Sequence, residues 1–177
     1  MMDLLNKKSI TLVVGGCKSG KSNWALSHTE SSFESYAFLA TAEVSDSEMA
    51  ERVRVHQMVR GPQWELVEEP LELADVLENR CGNVEAVLID CLTVWLSNVL
   101  LKKGESEVQA YTDRLLEVLG RRKQAVIMVA NEVGTGIVPE HRLGRTFRDL
   151  AGVLNQHLAA LADCVVYVIA GLPVSLK

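Results

Sequence analysis

Short apolar blocks alternate along this chain with longer stretches in which apolar residues return every three or four positions. Six blocks have strand length: residues 10–14, 36–40, 64–67, 84–90, 125–130 and 165–170. Between them, helical spacing runs through 71–77, 92–101 and 105–120. It is clearest after Pro139, where Leu143, Phe147, Leu150, Leu154, Leu158 and Leu161 form one stripe. Pro139 occupies the place of a first helical residue, and Asp163 closes the segment. Another helix is expected over 47–59. Ser45-Asp46 with Glu48 resembles a capping box, and Gly61-Pro62 provides a stop.

Apolar strands alternating with helices predict an α/β fold, a doubly wound and mostly parallel sheet with helices on both faces. No repeat, low-complexity tract or linker divides residues 1–177, so one domain is expected. In such sheets ligands bind beyond the carboxyl ends of the strands. Those ends carry Thr41, Asp90, Asn131-Glu132 and Gly171, together with the loop after the first strand.

That loop reads Gly15-Gly16-Cys17-Lys18-Ser19-Gly20-Lys21-Ser22 and fits G-x-x-x-x-G-K-[ST], the phosphate-cradling P-loop. A strand before it and a helix-compatible run after it supply the context that the motif requires, making the fold P-loop NTPase-like. Glycines let backbone N–H groups point inward, Lys21 reaches the β- and γ-phosphates, and the Ser22 hydroxyl is placed for Mg²⁺. Asp90 ends a β-branched strand. It fits the second metal-side residue of such enzymes, and equally a cap for the helix after it, a role Thr93 could share. N-K-x-D, the guanine-reading signature, is absent.

Other polar residues leave alternatives open. His56 shares a helical face with Met49 and Arg52. An imidazole there is a phosphorus nucleophile or an ordinary surface histidine. His28 sits at the end of the P-loop helix, and His141 and His157 flank the long periodic one. Arg142, Arg145 and Arg148 lie off the apolar stripe, as a solvated face or as contacts to an anion. Glu132 could orient a hydroxyl or hold its own loop.

Composition narrows the partners. Of 177 residues, 48% are hydrophobic, ample for a core. The net charge is −5 with no basic run longer than Arg121-Arg122-Lys123, which argues against nucleic acid. Cys17, Cys81, Cys91 and Cys164 show no C-x-x-C spacing, and the first sits inside the P-loop; a reducing, cytoplasmic setting follows. The apolar run that ends at Gly15 is too short for a signal or a membrane span.

Taken together, the P-loop, Ala40-Thr41-Ala42, the run from Glu48 to His56, Leu88-Ile89-Asp90-Cys91-Leu92-Thr93 and the block from Asn131 to Glu140 carry a resemblance. The chain resembles the bifunctional adenosylcobinamide kinase/adenosylcobinamide-phosphate guanylyltransferases of cobalamin biosynthesis, nearly end to end. The resemblance implies two reactions. ATP or GTP phosphorylates adenosylcobinamide; GMP then passes from GTP to adenosylcobinamide phosphate, releasing pyrophosphate. It also implies that His56 carries the guanylyl group. Nucleotide contacts would come from Gly15, Gly16, Cys17, Lys18, Ser19, Gly20, Lys21, Ser22, Ala40, Thr41, Ala42, Gln57, Met58, Val59, Arg60, Glu68 and Asp90. Mg²⁺ would be held at Ser22 and Asp90, and the assembly would be a homotrimer. This sequence departs from the family pattern at Cys17-Lys18, where Ala or Ser then Arg is usual, and at Arg60-Gly61-Pro62, where Pro usually follows Arg directly. Lys18 keeps the charge but loses the guanidinium fork.

Overall fold

The computed structural model describes residues 8–43, 61 and 63–177. The helix expected over 47–59 lies outside the described residues, as do His56, Gln57, Met58, Val59 and Arg60. In chain order the elements are β1 (Ile10–Gly15), α1 (Lys21–Ser32), β2 (Tyr36–Ala40), β3 (Glu65–Glu68), α2 (Leu73–Asn79) and β4 (Ala86–Asp90). There follow α3 (Leu92–Lys103), α4 (Glu105–Gly120), β5 (Ala125–Asn131), α5 (Arg142–Leu161), β6 (Cys164–Ile169) and β7 (Leu172–Ser175).

The strands form one sheet in the order β3-β2-β4-β5-β1-β6-β7. All neighbours are parallel except β6 and β7. Strand alternation divides the core in two. Ile10, Leu12 and Val14 face the side covered by α2, α3, α4 and α5. Val13 faces the other side, where Ala25 and Leu26 of α1 pack with Phe33, Phe38 and Trp64. Strands buried on both faces explain why β4 and β5 read as continuous apolar runs rather than alternating ones. Between α3 and α4 a single residue, Gly104 at φ 96, turns the chain. Lys102 and Lys103 at the end of α3, and Glu105 and Glu107 at the start of α4, each match the local helix dipole.

Several boundaries differ from the sequence reading for identifiable reasons. The last long helix begins at Arg142, so Pro139 precedes it and is not its first residue. The guanidinium of Arg145 reaches back to the carbonyl oxygens of Pro139 and Glu140, at 3.1 and 2.5 Å, and holds them outside the helix. Its apolar stripe is also only partly core: Leu154 and Leu158 are buried, whereas Leu143 is 53% exposed. Finally, β6 turns back through Ala170 and Gly171, both at positive φ (51 and 80), into an antiparallel edge strand that the pattern did not signal. Such a two-residue turn is the kind that joins hairpins, and Pro173, which cannot donate, sits acceptably at a sheet edge.

Candidate active site

The P-loop joins β1 to α1 with Lys18 and Gly20 in the left-handed region, φ 53 and 99. Trp24 donates its N–H to the Gly20 carbonyl at 3.0 Å, so helical bonding starts as soon as the loop ends. This places inward backbone amides and a helix N-terminus at one point, an anion site by construction. Two of its glycines are constrained, Gly15 by space and Gly20 by its φ of 99 as well as a close neighbour. A Cβ on Gly15 would lie 2.3 Å from the Val168 carbonyl oxygen, and one on Gly20 would lie 3.1 Å from Gly171 Cα.

Lys21 is buried, and its ammonium donates to the Gly16 carbonyl at 2.7 Å. Burial pulls its pKa below the ordinary lysine value, while Cys91, Asp90 and Cys17 pull the other way. The loop thus stores a partly desolvated cation facing the carboxyl end of β4, poised for an anion that would restore its charge stabilisation. Register explains the meeting. Asp90 pairs across to Ala40 on β2 and to Val129 on β5, while Gly15 pairs to Asn131 on the same β5. The β5 strand therefore stands between the phosphate loop and Asp90.

The helix α3 after Asp90 carries no side-chain cap. Thr93 instead accepts the Asn131 N–H at 2.7 Å. Thr93 is thereby turned toward β5 rather than toward a cap of α3. Among the described residues no group of three or more His, Cys, Asp or Glu side chains could hold a metal. Mg²⁺ commonly keeps its waters and binds through one or two carboxylates plus substrate phosphates, so Ser22, Asp90 and a triphosphate are a donor set of the right kind.

Thr41 is fully buried and clasps β4: its hydroxyl donates to the Cys91 carbonyl at 2.8 Å and accepts the Cys91 N–H at 2.9 Å. Asn98 in turn donates to the Thr41 carbonyl at 2.8 Å and to the Pro70 carbonyl at 3.1 Å. Ala40, Thr41, Ala42 and Glu68 thus gather where β2 and β3 end, beside Asp90. Asn98 was not singled out from sequence, although a lone amide inside the apolar run 92–101 is the signal that could have found it. Glu132 accepts the Gly134 N–H at 2.6 Å, and its own N–H binds the Gly15 carbonyl at 3.0 Å, so it holds its loop against the P-loop strand. Arg148 pairs with Asp149 at 3.0 Å, and Arg145 is committed to the loop carbonyls; Arg142 projects with 85% of its side chain exposed. His141 and His157 are exposed, and the His141 carbonyl accepts the Arg145 N–H at 3.2 Å as α5 begins. Cys91 is held as a neutral thiol, its pKa pushed up to about 11 by burial and by Asp90.

Comparison with known proteins gives four results. A family model described as cobinamide kinase/cobinamide phosphate guanyltransferase matches residues 11–176. The chain is 39% identical over 166 residues to the bifunctional adenosylcobalamin biosynthesis protein CobP of Pseudomonas aeruginosa, covering 94% of this chain and 96% of that one. It is 36% identical to the CobU protein of the same description from Escherichia coli, covering 94% and 98%. Among solved structures, the type III secretion ATPase EscN of enteropathogenic E. coli superposes with a TM-score of 0.60 at 13% identity, over 94% of this chain and 44% of that one. That last likeness concerns the fold, which is that of P-loop NTPases.

Proposed function

We propose, from the premise that this chain belongs to the cobinamide kinase/cobinamide phosphate guanyltransferase family, that a single phosphate cradle serves both of that family's transfers. The enzyme is a bifunctional kinase and nucleotidyltransferase of cobalamin biosynthesis. The observation that carries the finer reading is the desolvated Lys21, set in a closed glycine loop and facing Asp90.

In the first reaction the terminal hydroxyl of adenosylcobinamide attacks the γ-phosphorus of ATP or GTP. The bond to the β-bridging oxygen breaks, the hydroxyl proton passes to water, and the nucleoside diphosphate leaves. Loop amides and Lys21 stabilise charge on the β- and γ-oxygens, where it develops in such a transfer. Mg²⁺ bound with the triphosphate would neutralise the same oxygens, held by Ser22 and Asp90. In the second reaction the neutral His56 imidazole attacks the α-phosphorus of GTP and pyrophosphate leaves. An oxygen of adenosylcobinamide phosphate then attacks the same phosphorus, and breaking the P–N bond frees His56. Two displacements spare the enzyme from bringing two anionic substrates together in one step. Ala40, Thr41, Ala42, Gln57, Met58, Val59, Arg60 and Glu68 would line the nucleoside side of that GTP. The homotrimer that the resemblance implies belongs to the same reading and is checked by analytical ultracentrifugation.

The test is direct. Protein incubated with Mg²⁺ and GTP radiolabelled at the α-phosphorus should retain label after denaturation, stable in alkali and lost in acid. His56→Ala should abolish that label while leaving phosphorylation of adenosylcobinamide measurable. Label that survives His56→Ala would overturn the histidine route.

A further inference from the structure

The loop between β5 and α5 exposes apolar side chains that nothing in the described structure covers. Ile137 is 97% exposed and Val138 61%, with the similarly exposed Leu143 following on the first turn of α5. This exposure does not come from a slack loop. Glu132 pins one end through the Gly134 N–H and the Gly15 carbonyl, and Arg145 pins the other through Pro139 and Glu140. Gly144 lies so close that a Cβ there would approach Pro139 Cβ to 2.8 Å. The chain therefore keeps the backbone fixed and leaves the side chains facing water, an arrangement typical of a binding surface.

Its position names the occupant. In the sheet β5 lies between β1 and β4, so its exit loop rises between the P-loop and Asp90. A γ-phosphate held by Lys21 would lie beside that exit, on the approach of an acceptor hydroxyl. The acceptor of the proposed reaction is a bulky macrocycle with large apolar faces, and after the first step it bears a phosphate. Arg142 stands beside the apolar residues, and among the described residues its ion pair is with Glu105 at a loose 4.0 Å.

We infer that Ile137, Val138 and Leu143 receive the corrinoid macrocycle of the acceptor, and that Arg142 receives its phosphate in the second reaction. This inference rests on the proposed function. The apolar residues supply area without hydrogen-bond demands, and the arginine supplies a cation at the rim with guanidinium donors that match a phosphate.

The experiment compares wild type with the double variant Ile137→Ser/Val138→Ser, both changes being at exposed positions. The readouts are KM for adenosylcobinamide, KM for the triphosphate, direct calorimetric binding of adenosylcobinamide, and sedimentation. Acceptor KM should rise about tenfold, with triphosphate KM within about twofold. The calorimetric affinity should fall in parallel and the sedimentation coefficient should not change. Ile137→Leu/Val138→Ile should restore acceptor KM. In Arg142→Ala the KM for adenosylcobinamide phosphate should rise while that for adenosylcobinamide stays. An unchanged acceptor KM overturns the inference. So does a parallel rise in triphosphate KM, or a change in assembly, which would assign the loop to contacts between copies of the chain. Failure of wild type to phosphorylate adenosylcobinamide at all would instead remove the proposed function, a separate result.

Discussion

Gly171 donates its backbone N–H to the carbonyl oxygen of Ser19 at 2.8 Å, so the turn of the last hairpin props the phosphate loop from behind. The two glycines meet face to face, since a Cβ on Gly20 would reach Gly171 Cα. Gly171→Ala meets open space, but its φ of 80 is costly for a residue with a Cβ. Strain of about 1 kcal/mol is expected. If the P-loop bears it, KM for the triphosphate rises about fivefold with kcat nearly unchanged. Gly15→Ala, whose Cβ would press on the Val168 carbonyl, should abolish nucleotide binding measured by calorimetry.

Thr41 offers a test that separates architecture from contact with nucleotide. Its hydroxyl satisfies both the N–H and the C=O of Cys91, the residue following Asp90. Thr41→Val keeps the shape and leaves the Cys91 N–H without that partner, while the Cys91 carbonyl keeps the Trp95 N–H at 3.1 Å. Unfolding free energy should drop by about 1–3 kcal/mol in urea titration, with the m-value unchanged. A variant that raised KM for GTP without losing stability would show that the hydroxyl serves the ligand instead.

Most of the sheet was legible because its strands are buried on both faces and so appear as unbroken apolar runs; β2 matches its expected span residue for residue. The P-loop was legible because steric demand at Gly15 and Gly20 leaves so few residues able to replace them. What the pattern missed depends on pairing between distant segments. The β7 strand contains Pro173 and is exposed, and only its register opposite Val168 makes it a strand. Pro139 carries a helix-start signal, yet Arg145, six residues on, takes the carbonyls that would begin the helix. The clasp of Thr41 on Cys91 and its brace by Asn98 arise from tertiary contacts, whose spacing leaves no mark in the sequence. Leu143 continues an apolar stripe that the core does not use, and that mismatch is itself what draws attention to the loop before it.

Asp90 should matter to both reactions. Asp90→Asn keeps the volume and removes the charge facing Lys21. Loss of one such electrostatic group from a transfer site is expected to lower kcat by about a hundredfold or more. Both phosphorylation and guanylyl transfer should fall together, and a higher Mg²⁺ concentration should be needed for half-maximal rate. A variant that lost only one of the two would show that the reactions do not share this carboxylate.

His28 gives a pH prediction on the other face of the sheet. Its ring stacks on Trp24 with centroids 4.6 Å apart and planes 11° from parallel. Burial lowers its pKa below the ordinary 6.5, so the folded chain keeps the ring neutral where the unfolded chain takes up a proton. The unfolded state then binds more protons, and stability falls as pH drops through 6.5 toward the folded value; above 6.5 the contribution is complete. His28→Gln removes the titration, so its urea midpoint should decline less than that of wild type over the same acid range. An imidazole proton resonance titrating below 6.5 in the folded protein would report the same shift directly. If that resonance titrates at or above 6.5, protonated His28 is favoured on the Trp24 face, as a cation over an indole ring would be, and the acid loss must come from other groups.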